Sequence, residues 1–201
     1  MFKKYWKFFV IFWSVVLVGI IGVFVFFWLI SAGKLGFMPT FEELENPNNR
    51  FASEVYFADG PIMNRYFEKE NRKYIEYREI PQSVIDALIA TEDVRFYDHS
   101  GVDVRGLFRV AKGLLTANTS AGGGSTISQQ LAKMLFPRES DLNVFELAIR
   151  KFREWVIAVR LEKSYTKEEI LTMYLNKYDF LNLAVGISSA ADIYFQVPLD
   201  S

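Results

Sequence analysis

The chain has 201 residues, 51% hydrophobic and 16% aromatic, with 23 basic and 24 acidic side chains, one histidine and no cysteine. That composition excludes a disulfide framework, thiolate chemistry, a cysteine-ligated metal and a histidine-rich zinc site. The charges nearly cancel and form no long basic run, so nucleic acid is not an expected partner.

The apolar excess sits at the N-terminus, where Phe8 to Ile30 carries no charged residue. As a helix rising about 1.5 Å per residue such a run reaches about 34 Å, enough to cross a bilayer core. A cleaved signal would have an apolar core of only about 7–15 residues before a small-residue cleavage site, and Ser31-Ala32-Gly33 is a poor version of that site. Lys3, Lys4 and Lys7 precede the run with no acidic residue among them. The expectation is a single-pass helix over 8–30 in the cytoplasmic (inner) membrane, with residues 1–7 cytoplasmic and everything after the span extracytoplasmic. Tyr5, Trp6 and Trp28 stand where interfacial aromatics anchor such a helix.

Residues 31–52 turn to Gly, Pro, Asn and Glu, with Pro39, Pro47 and Asn48-Asn49 as breakers, and read as a linker. Over 53–79, two runs of aromatic and branched residues flank Asp59-Gly60-Pro61, a hairpin signal, and "KYIEY" offers a third strand. From residue 80 onward the period is helical. Val84, Ile85, Leu88 and Ile89 give one apolar face running into Glu92. Asp103 is placed to cap a helix bearing Leu107, Phe108, Ala111, Leu114 and Leu115, with Arg105, Arg109 and Lys112 between them; this helix reads equally as a membrane-surface helix or a core helix with a basic edge. Another helix begins near Ser125. Phe145, Ile149, Phe152, Val156 and Val159 predict a buried stripe on a helix from about Asn143 to Lys163. Thr166 and Glu169 form a capping-box signature for a helix from Lys167 to Asn176. The fold class is mainly α with a small membrane-proximal β element.

Three stretches have the residues for chemistry. "IATEDVRFYDHSG" sets Glu92 beside Asp93 at a helix end, where charge is ordinarily just solvated. Phe96 and Tyr97 supply apolar walls that would desolvate a carboxylate toward general-base duty, and His99 and the Gly101 turn add fixed polar groups. "GGGSTISQQLAK" leads three glycines into Ser125 and Thr126 at a helix start, followed by Gln130 and Lys133; it reads as an anion cradle or as a linker with an ordinary Ser cap. "RKFREW" places Arg150 and Lys151 one turn before Glu154, either a surface ion pair or a phosphate site whose carboxylate positions the cations or holds a divalent ion. Ser31–Lys34 and Ser164–Lys167 match Ser-x-x-Lys by chance, since no Lys-Thr-Gly accompanies them.

Taken in order, these stretches resemble the peptidoglycan glycosyltransferases (glycosyltransferase family 51), the domain that opens class A penicillin-binding proteins. "EDVRFYDHSG" is similar to the family's E-D-x-x-F-x-x-H-x-G, "GGSTISQQLAK" to G-G-S-T-x-T-Q-Q-L-x-K, and "RKFREWVIAVRLE" to R-K-x-x-E-x-x-x-A-x-x-L-E. "EEILTMYLNKYDF" and "GISSAADIYF" match two further segments. The resemblance implies a lysozyme-like domain over 80–201 that polymerises lipid II into β-1,4 glycan strands by inverting displacement of undecaprenyl pyrophosphate. It implies Glu92 and Glu154 as catalytic residues: Glu92 as base, and Glu154 at the pyrophosphate as the ligand of a divalent cation (Mg or Mn). Arg150, Lys151 and Lys133 would join Glu154 there, with Asp93, Phe96, His99, Ser125, Thr126 and Gln130 shaping the substrate site. Implied partners are lipid II, the growing glycan strand, membrane lipid and cell-wall synthesis proteins. The alternatives are a catalytically incompetent anchored fragment that binds lipid II or partners, and a lysozyme-like glycan-cleaving enzyme. Three positions depart from the pattern: Ser128 stands where Thr is usual, and Leu181 and Gln196 where Gly is usual. Against a complete domain of this kind, the text stops at Ser201 before the last helices, so part of the groove is expected to be missing.

Overall fold

The computed structural model describes residues 2–40, 53–56, 62–66, 74–116, 123–136 and 143–199. The expected Asp59-Gly60-Pro61 turn and the breakers Pro47, Asn48 and Asn49 lie outside these residues. The described elements are α1 (Phe2–Ser31), β1 (Ser53–Tyr56), β2 (Ile62–Tyr66), α2 (Gln82–Glu92), α3 (Val104–Leu115), α4 (Ile127–Leu135), α5 (Val144–Ser164), α6 (Lys167–Lys177) and α7 (Ile187–Phe195). The chain is mainly α, as its periodicity predicts. β1 and β2 pair antiparallel, with Ser53 opposite Tyr66 and Val55 opposite Asn64.

Two compact units are distinguished. One comprises Met1–Met38 with Asp141–Val156, the other Pro39–Ser140 with Ile157–Ser201.

In the first unit, α1 has a 27-residue segment, Tyr5–Ser31, that is long and apolar enough to span a membrane, and its most apolar window is not buried in protein. Helix geometry runs back to Phe2, beyond the apolar run proper. The end of α1 meets the first half of α5 through edge-to-face rings. Phe152 lies 5.3 Å from Phe26 and 5.8 Å from Phe27, and Trp155 lies 5.1 Å from Phe152. Gly36, at φ +114°, has a backbone that disfavours a side chain, and a Cβ there would displace the Arg153 guanidinium. The stripe expected on α5 is only partly buried: Phe145 is 72% exposed, while Ile149, Phe152, Val156 and Val159 are half-buried. The buried residues of this half are instead Arg153 and Glu154.

The second unit packs Ile85, Phe96, Ile127, Leu131, Leu161, Ile170 and Leu171 into a core where none exceeds 1% exposure. Local chemistry sets its helix starts. Asp103 Oδ1 accepts from the Gly106 N–H at 3.0 Å and caps α3. Thr166 and Glu169 close the expected capping box of α6. The strand expected at "KYIEY" does not form; Tyr77–Glu79 is a 3-10 turn. The physical reason is Asn176, whose side chain takes the Ile75 N–H at 2.9 Å and donates to the Ile75 carbonyl at 2.8 Å, satisfying groups a strand partner would have needed. On α3 one apolar face is uncovered, with Val104 58%, Phe108 74% and Leu115 88% exposed.

Candidate active site

α2 ends at Glu92, and Asp93, its C-cap, turns to φ −155°. The change of backbone separates two adjacent carboxylates. Glu92 stays exposed, while Asp93 is 7% exposed. Phe96 and Tyr97 do not wall in Glu92: Phe96 is fully buried in the core and Tyr97 is 57% exposed. The turn at Phe96–Asp98 sends the two rings to different environments, which corrects the expected desolvation of the carboxylate.

Asp93 is the hub of the buried side. Its Oδ2 accepts from His99 Nε2 at 3.0 Å and from the backbone N–H of Ile127 at 3.1 Å. His99 Nδ1 accepts from the Gly101 N–H at 3.2 Å, so the ring proton lies on Nε2, facing Asp93. Gly101 has φ +95°, and a Cβ there would come within 2.8 Å of the Ala158 and Val159 backbone. The Gly101 carbonyl accepts from Thr126 Oγ1 at 2.7 Å and from Gln129 Nε2 at 3.3 Å.

The described part of the glycine-led stretch begins at Gly123. Its cap is Thr126, whose Oγ1 accepts from the Gln129 N–H; the expected Ser cap and the helix start move on by one residue. Ser125 precedes the cap. Gln130, on α4, donates from Nε2 to Glu92 Oε2 at 2.8 Å. Lys133 follows on the exposed side of the same helix. A cleft of about 120 Å³ runs past Glu92, Asp93, Arg95, Arg109 and the Gly123–Thr126 backbone. Thus Glu92, Asp93, Ser125 and Thr126 come together from stretches over thirty residues apart, with His99 and Gln130 bonded to the two carboxylates.

Sequence reasoning assigned no site role to Arg95 or to the partners behind the site. Arg95 binds Asp103 through Nε at 3.1 Å and through Nη2. Burial pushes the Asp103 carboxyl up, but the Arg95 hydrogen bond, the Gly106 N–H and the Arg95 charge outweigh it and leave the group below its ordinary value. Behind Phe96, Lys167 Nζ donates to the His99 carbonyl at 2.7 Å, pairs with Glu162 at 2.7 Å and lies 4.2 Å from the Phe96 ring centre. Ser128 Oγ donates to Glu162 as well, so the hydroxyl that a threonine would supply is retained. The signal available in the sequence was the spacing of Glu162 and Lys167 across a helix boundary, which alone has no chemical meaning.

Arg150, Lys151 and Glu154 belong to the first unit. Lys151 Nζ donates to Glu154 Oε2 at 2.8 Å, and the Glu154 side chain is 12% exposed. The ion pair is therefore i,i+3 and half sheltered, unlike a solvated surface pair. Among the described residues, no group of three or more histidine or acidic side chains is arranged to hold a metal ion.

The family model for transglycosylases matches residues 59–201, and the chain belongs to that family, the peptidoglycan glycosyltransferases its motifs resemble. Penicillin-binding protein 1A of Escherichia coli (strain K12) is 38% identical over 163 residues, 81% of this chain and 18% of that protein. Penicillin-binding protein 1A of Pseudomonas aeruginosa is 38% identical over 162 residues, 81% of this chain and 19% of its own. The protein of that name from Neisseria gonorrhoeae is 35% identical over 158 residues, covering 79% and 19%. The chain spans about a fifth of the length of these curated relatives.

Proposed function

We propose that the chain is a membrane-anchored peptidoglycan glycosyltransferase that polymerises lipid II into β-1,4 glycan strands. The observation that supports this most directly is Glu92: an exposed carboxylate at a cleft, held on one oxygen by Gln130. In the proposed step Glu92 takes the proton from the acceptor's GlcNAc 4-hydroxyl as that oxygen bonds to C1 of the donor MurNAc. The C1–O bond to undecaprenyl pyrophosphate breaks, and the diphosphate leaves with the bonding pair. An α-linked donor becomes a β-linked product, so one displacement and one base suffice, as in inverting hydrolases.

A diphosphate departs without protonation where cations offset its charge. Arg150, Lys151 and Lys133 are the residues proposed for that task, with Glu154 fixing Lys151. A divalent cation, Mg or Mn, would take Glu154 as its protein ligand and would supply positive charge at the leaving diphosphate. A single sheltered carboxylate fits a cation held mainly by its substrate and not an all-protein cage. Asp93 and His99 hold the loop, Phe96 anchors it in the core, and Ser125 and Thr126 present the α4 N-terminus to the substrate.

The membrane-sized α1 and the uncovered apolar face of α3 support a substrate that stays in the lipid. The proposed arrangement has residues 1–7 cytoplasmic, 8–30 in the inner membrane, 31–52 a linker, 53–79 the β region and 80–201 the catalytic domain outside. Replacing Glu92 with Gln tests the base. Lipid II polymerisation by that variant should fall by roughly 10²–10⁴-fold, the usual contribution of a general base, and activity equal to the parent's would sink the assignment. Release of fragments from preformed peptidoglycan without lipid-linked substrate would point to glycan cleavage instead.

A further inference from the structure

The Tyr-Leu-Asn of the fourth motif enters no step above, yet its tyrosine stands directly behind the proposed base. Tyr174, on α6 and 2% exposed, donates its hydroxyl to Gln130 Oε1 at 3.0 Å. The same amide donates from Nε2 to Glu92 Oε2 at 2.8 Å. The three side chains thus form one directed chain of hydrogen bonds from the core to the cleft.

We propose that Tyr174 is a positioning residue for glycosyl transfer: by fixing which way the Gln130 amide faces, it holds the Glu92 carboxylate in register with the acceptor hydroxyl. This rests on the reading of Glu92 as the base. An amide has one accepting and one donating end, and an ionised carboxylate only accepts. Turning the amide over would set its oxygen against Glu92 and lose that bond; the tyrosine oxygen could accept from the turned N–H, but the buried phenol proton would lose Oε1 as its acceptor. Glu92 is exposed, so water competes for its side of that choice. The buried phenol enforces the other side.

Two features suit Tyr174 to this. Its ring is held by stacking on Tyr178 at 5.4 Å, which in turn meets Phe180 at 4.9 Å. Its proton is retained, because burial first, then the charge of Glu92 and the neighbouring Tyr178, push the phenol well above its ordinary range. With Oε2 occupied by Gln130, Oε1 is the oxygen left to take the 4-hydroxyl proton.

The test uses the full chain in detergent micelles, as wild type, Tyr174→Phe, Gln130→Ala, the double variant and Glu92→Gln. Tyr174→Phe keeps the ring and its stacking, and circular dichroism checks that it folds. Its kcat on lipid II should fall about 10-fold with KM unchanged, and adding the change to Gln130→Ala should cost nothing more. Independently of turnover, the two side-chain amide protons of Gln130, resolved by ¹⁵N NMR, should lose their hydrogen-bonded shift difference and exchange faster in Tyr174→Phe. Unchanged amide resonances, or an equal loss in the Gln130→Ala background, would overturn the positioning role. Activity surviving in Glu92→Gln overturns the base itself, so the two failures are separable. Should no variant turn over lipid II in micelles, the amide signature decides alone.

Discussion

Asp93 Oδ2 accepts the backbone N–H of Ile127 at 3.1 Å, across 34 residues of chain. The carboxylate beside the proposed base is therefore bonded to the first turn of the helix that follows the glycine stretch. The same oxygen accepts from His99, so one buried charge fixes the motif loop and the start of α4 together.

Asp93→Asn tests that junction. One amide oxygen can still take both bonds at the Oδ2 position, but as a neutral acceptor, and the new NH2 stands at the Oδ1 position, 3.2 Å from His99 Nε2, whose N–H it cannot accept. Hydrogen bonds to charged groups contribute about 1.5–3 kcal/mol each, and a loss of stability of about 2–3 kcal/mol is expected, read as a lowered midpoint in thermal unfolding. A midpoint equal to the parent's would show that the buried carboxylate does not organise the site.

Arg95 and Asp103 make stability depend on pH with a defined sign. The folded carboxyl titrates below its ordinary value of 3.8. The pair's contribution is thus fully present above that ordinary value and is lost as pH falls through the lower folded one. The stability difference between the parent and Arg95→Leu should be constant above about pH 5 and shrink steadily from about pH 4 downward. Denaturation midpoints measured from pH 6 to pH 2.5 check this; a difference that does not narrow in acid would mean the ion pair does not set the Asp103 titration.

Much of this site was legible in the residues. The helix into Glu92, the Asp103 cap and the Thr166–Glu169 box follow from local spacing, because each depends on atoms within one turn. The fates of Glu92 and Asp93 were not, since a single C-cap torsion decides which carboxylate turns inward. Phe96 and Tyr97 stay in edge-to-face contact at 5.4 Å, yet one ring is buried in the core and the other exposed. Phe145 read as core because periodicity reports which face is apolar and not what covers it. Tyr174, Glu162 and Lys167 were silent because their meaning lies in partners 44, 34 and 68 residues away.

Leu181 and Gln196, the two positions where the family usually has glycine, both adopt left-handed backbone, at φ +70° and +56°. The turns form without glycine, and the chain carries the strain. Leu181 is flanked by Asn182 and Leu183 at φ +50° and +68°; asparagine tolerates that region and leucine does not. Left-handed geometry costs an ordinary residue about 1–2 kcal/mol, while glycine adds about 0.5–1 kcal/mol of unfolded-state entropy. The Leu181 side chain is 69% exposed and contributes little packing. Leu181→Gly should therefore raise stability by about 0.5–1 kcal/mol by that difference, and Gln196→Gly, at the C-cap of α7, should do the same. Leu181→Ala is the control, because it removes the side chain and keeps the Cβ that causes the strain. A rise in the unfolding midpoint with glycine and none with alanine is the expected result; equal effects of the two would trace the change to the exposed leucine and not to the backbone.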